Sequence, residues 1–346
     1  MTFSANGKHL WTSDDNLGVR GWRVEDGKQM ARGVVGGEDV LCLSVPKDGR
    51  WIAAGTMFGA VVMWDAKTKV NPHRLKEDNR KINGVDFSPD SSRLITATNN
   101  RTASIWDVAT RQRVQTLQHR ELVTAAKYSP RGDRIATATP DSVRVWDSNN
   151  GRLLMHIPVK VAPWFNTGLL WFNNTLFVIS DSKIKQIQAS TGSTVSEWLV
   201  PETIGSSCIA LPKHGEFIAY STQRTVTFWD TATHTQLGLM QHPEDIRSIA
   251  VSPDDLFLAI GGENGKITIN SLFHISVSIL FRSIVVHMSN FLAPVIFCLI
   301  QSICLVYTAR STLRSILGST INPQTPERSF RGVAAESLTL MTVQVE

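Results

Sequence analysis

The sequence predicts an all-β ring of seven four-stranded units, and three observations lead there. Trp-Asp pairs recur at a period near 41 residues, a turn signal recurs in step with them, and the segments between alternate apolar and polar residues as half-buried strands do. Length and composition set the frame. Of 346 residues 42% are apolar and 19% charged, enough for a core and too little charge for a disordered or fibrous chain. Thirty-five Lys and Arg stand against 30 Asp and Glu, so the net charge of +5 implies no nucleic-acid partner. Ten Trp against three Tyr is the unusual figure, and the repeat accounts for it.

The markers are Trp64-Asp65, Trp106-Asp107, Trp146-Asp147 and Trp229-Asp230, each closing a short strand-like run such as Val143-Arg144-Val145. Degenerate copies fill the gaps at Trp22, Ile187 and Asn270, which makes the steps 42, 42, 40, 41, 42 and 41 residues. Turns open 16 to 18 residues before each marker, as at Pro46-Lys47-Asp48-Gly49, Pro89-Asp90, Pro130-Arg131-Gly132, Pro212-Lys213-His214-Gly215 and Pro253-Asp254-Asp255. Each unit therefore reads as one strand before this turn, one after it, the marker strand, and one beyond a second turn such as Asn149-Asn150-Gly151.

In these features the chain resembles the WD-repeat β-propeller family over residues 1–271. The resemblance implies a seven-bladed propeller in which Trp22, Trp64, Asp65, Trp106, Asp107, Trp146, Asp147, Trp229 and Asp230 are structural. It also implies a buried hydrogen-bond set of a His, an Asp before the marker strand, a Ser or Thr, and the marker Trp. The Gly-His dipeptide that opens many family repeats is replaced by Gln118-His119 and Gln241-His242, and only the unit with His119, Asp141 and Trp146 carries the named parts. The other blades are expected to rely on packing. Aligned on the markers, residues 1–4 already end an innermost strand, so the last blade is expected to take its outermost strand from 272–281 and the imperfectly closed ring to be shut by face packing. A remnant of a longer protein is the other reading of that seam.

Beyond residue 271 the pattern stops. Residues 272–317 form a hydrophobic segment, and 318–346, with Asn322-Pro323 and Thr325-Pro326, read as a flexible tail. From Ser283 to Ala309 there are 27 residues without Asp, Glu, Lys or Arg. Three readings stand for 283–309: a transmembrane helix, a buried helix, or a non-homologous tail from altered splicing or truncation. Arg310, Arg314, Arg328 and Arg331 on its C-terminal side would place a short tail in the cytosol and the propeller across the membrane, and no signal peptide precedes it. The expected location is cytoplasmic, with membrane association as the alternative. Cys42 and Cys208 stand alone and fit a reducing compartment; Cys298 and Cys304 read as inert thiols in the apolar segment.

No constellation carries visible chemistry. Gly261-Gly262-Glu263-Asn264-Gly265-Lys266 lacks the first Gly and the closing Ser or Thr of a phosphate loop and reads as a turn between strands. The nine His show no metal-ligand spacing. Residues 71–81 alternate base and acid and read as a solvated loop. Trp51 and Trp171 fall at strand positions facing a neighbouring blade, whereas Trp164 and Trp198 stand apart, Pro163-Trp164-Phe165 falling at a loop position. The expected function is a non-catalytic protein–protein interaction scaffold without cofactor or metal. Its partners are other proteins, and a membrane is reached only through 283–309. Expected partner-binding residues are Arg80, Arg101, Arg120, Trp164, Phe165, Arg224 and Arg247, because Arg and aromatic side chains supply most interface energy once buried. A membrane-tethered scaffold is the alternative, and a quinone-dependent propeller enzyme a remote one.

Overall fold

A computed structural model describes residues 1–14, 18–34, 38–66, 73–77, 79–161, 168–180, 182–201, 208–272 and 343–345. The chain divides into two compact units, Met1–Ile275 with Met341–Glu346, and Ser276–Leu340. The second, with the apolar stretch 283–309, lies outside the described residues.

The first unit is built of seven antiparallel four-stranded sheets, the blades of a propeller. Blade 1 holds β1 (Thr2–Phe3), β2 (His9–Asp14), β3 (Gly18–Arg23) and β4 (Gln29–Val34). Blade 2 holds β5 (Val40–Ser44), β6 (Trp51–Thr56), β7 (Ala60–Asp65) and β8 (His73–Lys76), and blade 3 holds β9 (Ile82–Phe87), β10 (Arg93–Thr98), β11 (Thr102–Asp107) and β12 (Arg113–Gln118). Blade 4 holds β13 (Ala125–Tyr128), β14 (Arg134–Thr139), β15 (Ser142–Asp147) and β16 (Leu153–Pro158), and blade 5 holds β17 (Leu169–Phe172), β18 (Thr175–Ser180), β19 (Lys183–Gln188) and β20 (Thr194–Leu199). Blade 6 holds β21 (Ile209–Ala210), β22 (Phe217–Ser221), β23 (Thr225–Asp230) and β24 (Gln236–Gln241), and blade 7 holds β25 (Ile246–Val251), β26 (Phe257–Gly262), β27 (Ile267–Ser271) and β28 (Val343–Val345). No helix occurs among the described residues, and every marker falls on the third strand of its blade, as the repeat requires.

The two sheet-building turns have side-chain causes. Between first and second strands a Ser hydroxyl closes the loop: Ser88 donates to Asp90 at 2.5 Å and accepts from the Arg93 amide at 2.9 Å, and Ser252 with Asp254 and Phe257 does the same. Beyond the marker strand the Asp of the Trp-Asp pair accepts turn amides. Asp107 takes Thr110, Asp147 takes Asn149 and Asn150, and Asp230 takes Ala232 and Thr233. Pairing to the outer strand slips by one residue at the marker in blades 1, 3, 4, 5 and 6, a β-bulge that lets the wide indole or its Ile187 substitute sit against the strand. The bulged residues include Val114, Leu154 and Val195, which accounts for their exposure.

Side chains between successive blades form the core. Val61, Met63 and Leu75 of blade 2 meet Val85, Phe87 and Leu94 of blade 3, with Trp51 packed alongside. Val143, Val145 and Ile157 of blade 4 meet Leu176 and Val178 of blade 5, with Trp171 alongside donating to the Lys127 carbonyl at 3.3 Å. Trp198, set apart in the sequence, is an outer-strand residue buried at the interface of blades 5 and 6. Gly21 is required beside Trp11, whose ring lies 2.6 Å from where a Cβ would stand.

The seam between blades 7 and 1 is closed by packing: Phe3, Leu10 and Trp22 lie against Ala259, Ile267 and Ile269, and the Met1 amino group donates to Ser248 at 3.3 Å. The fourth strand of blade 7 differs from expectation. It is Val343–Val345, paired with Ile267–Ile269, rather than 272–281, of which only Leu272 is described. A strand this short needs only β-branched residues and an open edge, conditions that several tail segments meet equally in the sequence. A second correction concerns 71–81. His73–Lys76 is the outer strand of blade 2, and Glu77 is buried, because its charged residues alternate with Leu75 facing the core.

Candidate functional site

The buried polar groups beneath the markers are built from neighbours in register. In blade 4 the Trp146 indole donates to Thr137 Oγ1 at 2.8 Å, and His119 Nε2 lies 2.8 Å from the same oxygen. His119 Nδ1 is 3.1 Å from the Leu117 carbonyl, so the tautomer satisfying every partner carries its proton on Nδ1 and accepts from Thr137 at Nε2. Burial, aided by Arg144, pushes the imidazole down to about 4, which keeps it neutral. Asp141 is not in this set. It takes the hydroxyls of Thr139 at 2.6 Å and Ser142 at 3.0 Å, capping the turn between second and third strands. Asp141 is exposed while His119 is buried, and the hydroxyls beside it satisfy its oxygens first.

Blade 3 rebuilds the arrangement without a histidine. Glu77 occupies the position of His119 one repeat earlier and accepts Thr96 at 2.5 Å, Ser104 at 3.2 Å and the Trp106 indole at 3.2 Å. Arg113 lies 3.5 Å away as counter-charge. Sequence reasoning left this blade to packing alone; the signal was Glu77 standing 42 positions before His119, masked by the charged residues around it. Elsewhere the indoles of Trp22 and Trp229 reach Thr12 and Thr227 at 2.9 Å, Trp64 is buried, and Asp65 lies 3.9 Å from Arg50.

One face of the propeller carries the loops that lead into each blade and those between second and third strands. Backbone hydrogen bonds tie these loops into an arc: Glu77 to Gly59, Asn99 to Lys81, and His119 to Arg101. Arg80, Arg101 and Arg120 stand exposed on this arc, with no carboxylate in ion-pair range among the described residues. Arg224 and Arg247, also expected to bind, are engaged across the ring, Arg224 with Asp245 at 2.7 Å and Arg247 with Glu263. Trp164 and Phe165 lie outside the described residues. An exposed aromatic that the sequence reading did not single out, Phe58, projects from the turn between β6 and β7 at 62% exposure. A Phe beside Gly59 in a turn was its only signal.

Cys42 and Cys208 are free and buried, and burial pushes the Cys42 thiol up to about 12, far from a reactive thiolate. No group of His, Cys, Asp and Glu among the described residues could hold a metal ion. Gly261–Lys266 spans the turn joining β26 to β27, and no described helix is long and apolar enough to cross a membrane.

A closed ring of seven blades, with the indoles of Trp22, Trp106 and Trp146 bonded to second-strand threonines, defines a repeat propeller that offers loop faces. The model of the WD domain, G-beta repeat, matches residues 69–107, 111–147 and 234–269. The chain is a seven-bladed β-propeller, and three of its repeats are similar to this one. Each match runs from the outer strand of one blade through the third strand of the next, and the three are the repeats that carry Glu77, His119 and His242 before the innermost strand. Among curated proteins the chain is similar to the U3 small nucleolar RNA-associated protein 15 homolog of Xenopus laevis, 22% identical over 67% of this chain and 46% of that protein. It is 23% identical to the serine-threonine kinase receptor-associated protein of Mus musculus over 53% of each, and 24% identical to the pre-mRNA-processing factor 19 homolog 2 of Arabidopsis thaliana over 63% and 43%. The chain thus spans about half the length of these relatives.

Proposed function

We propose that the protein is a non-catalytic interaction scaffold that holds other proteins on the face bearing Arg80, Arg101 and Arg120. The observation that carries this reading is the set of three exposed arginines, without ion-pair partners among the described residues, on adjacent loops of blades 3 and 4. An arginine with no intramolecular carboxylate keeps its donors for a partner, whereas Arg224 and Arg247 must first give up Asp245 and Glu263. Two of the three relatives are named for RNA-associated or pre-mRNA-processing roles, which suits membership of a multi-subunit assembly.

Affinity purification of the full chain with mass spectrometry tests the reading. Charge reversal at Arg80, Arg101 and Arg120 is expected to strip the partners while the melting temperature holds; reversal at Arg224 and Arg247 is expected to do less. Partners that persist in the first variant would overturn it. Nuclease treatment during purification separates direct protein partners from RNA-bridged ones, and imaging distinguishes the proposed cytoplasmic site from a nuclear one. The 27 uncharged residues 283–309 favour a second reading, a scaffold tethered to a membrane. It requires the full chain to resist alkaline carbonate extraction.

A further inference from the structure

We infer that a cavity beside Phe58, on blade 2 and the loop that leads from it, seats an apolar side chain from an acidic segment of a partner protein. The cavity holds about 430 Å³ and is lined by Glu38, Phe58, Ala60, Arg74, Lys76 and Asn79. It lies at the end of the arginine arc, so the inference rests on the scaffold reading and names the chemistry of the partner.

A single exposed apolar residue on a surface is ordinary and would mean nothing alone. Phe58 differs in its setting. Its turn is fixed to the entrance of blade 3 by the bond from the Glu77 amide to the Gly59 carbonyl at 3.0 Å, so the turn that carries the ring is held beside an opening with room for a side chain. The charges around that opening are unequally committed. Arg74 is ion-paired with Glu38, which also accepts Thr56 at 2.5 Å. Lys76 is exposed on the cavity wall with no carboxylate in ion-pair range among the described residues, and Arg80, Arg101 and Arg120 continue the line.

Among the described residues, acids on the same arc are occupied or few. Glu38 and Glu77 are engaged, Asp141 holds two hydroxyls, and Asp39 and Glu121 are exposed. A segment carrying separated carboxylates can place them on Lys76 and the arginines while avoiding Asp39 and Glu121. A nucleic-acid backbone, with a charge at every step, would meet those carboxylates too. Burying the Phe58 ring against an apolar anchor then supplies the desolvated centre that charged rims lack.

Selection from a random peptide library displayed against the purified full chain tests this directly. Selected peptides are expected to carry Asp or Glu flanking a Leu, Phe or Trp. By fluorescence anisotropy, Phe58→Ala should weaken them about tenfold and Lys76→Glu with Arg80→Glu at least as much, with thermal unfolding unchanged. Neutral or basic peptides, binding indifferent to Phe58→Ala, or no peptide at all would overturn the inference. So would an oligouridylate probe that binds more tightly through the same residues. If selected peptides ignore Phe58 while partner capture still depends on Arg80, Arg101 and Arg120, the cavity inference falls and the scaffold reading stands. Loss of the reading itself shows in the reverse pattern.

Discussion

Blades 3 and 4 meet the same requirement with opposite chemistry. Each places a threonine of the second strand under the marker indole, and each needs a proton acceptor facing that threonine from the loop that opens the blade. Blade 4 uses a neutral imidazole, His119, and blade 3 a carboxylate, Glu77. The difference propagates outward. Opposite Trp106 the outer strand carries Arg113, the counter-charge of Glu77; opposite Trp146 the equivalent residue is Leu153, 44% exposed. The slot therefore specifies an acceptor rather than a histidine, and the outer strand follows the charge the acceptor brings.

The largest expected effect breaks the comparison on the acid side. Glu77→Leu leaves the hydroxyls of Thr96 and Ser104, the Trp106 indole and Arg113 short of an acceptor, and should cost about 3–4 kcal/mol in urea unfolding. His119 supplies the next effect, through pH. Its folded value is depressed from 6.5 to about 4, so between those values the unfolded chain binds a proton that the folded chain refuses. Stability is present in full above 6.5 and is lost as pH falls toward 4, on the order of 3 kcal/mol in all. His119→Gln should flatten that part of the stability–pH curve; an unchanged curve would place the titration elsewhere.

A swap sharpens the point. Glu77→His alone strands Arg113 without its acid, whereas Glu77→His with Arg113→Leu copies blade 4. A double-mutant cycle should show the pair coupled by about 1 kcal/mol, and additive losses would mean the two residues act independently. Smallest of all, Arg101→Glu on the exposed arc should shift stability by no more than about 0.5 kcal/mol while altering partner capture.

These contrasts also mark what the sequence made legible. The repeat markers and the turns in step with them placed every third strand, because residues of these kinds act locally: Asp107, Asp147 and Asp230 cap their own turns, and Ser88 and Ser252 close their own loops. Glu77 escaped notice because its role depends on Thr96, Trp106 and Arg113, which are brought to it by pairing across two blades. Whether an arginine is committed is equally a matter of tertiary placement, so Arg101 and Arg224 look alike in the sequence and differ in the fold. Trp198 was ambiguous for the same reason, since only the packing of blade 5 on blade 6 shows which side of its strand is covered.

The seam has a consequence for the order of assembly. Within blades 1 to 6 paired strands are hairpin neighbours and pair quickly, but in blade 7 Val345 must reach Ile267 from far along the chain, and Met1 and Ser248, on either side of a seam between sheets that share no strand, stand 247 positions apart. Loop-closure entropy must be overcome before Phe3 and Trp22 gain anything from Ile267 and Ile269. The ring is thus largely a row of quickly made hairpins fastened late at blade 7, by the seam and by the pairing of β28 with β27, and unfolding is expected to start at that joint. Truncating Ile269 should speed unfolding far more than it slows folding, making the lifetime of the native ring a property of a few apolar side chains at a single joint.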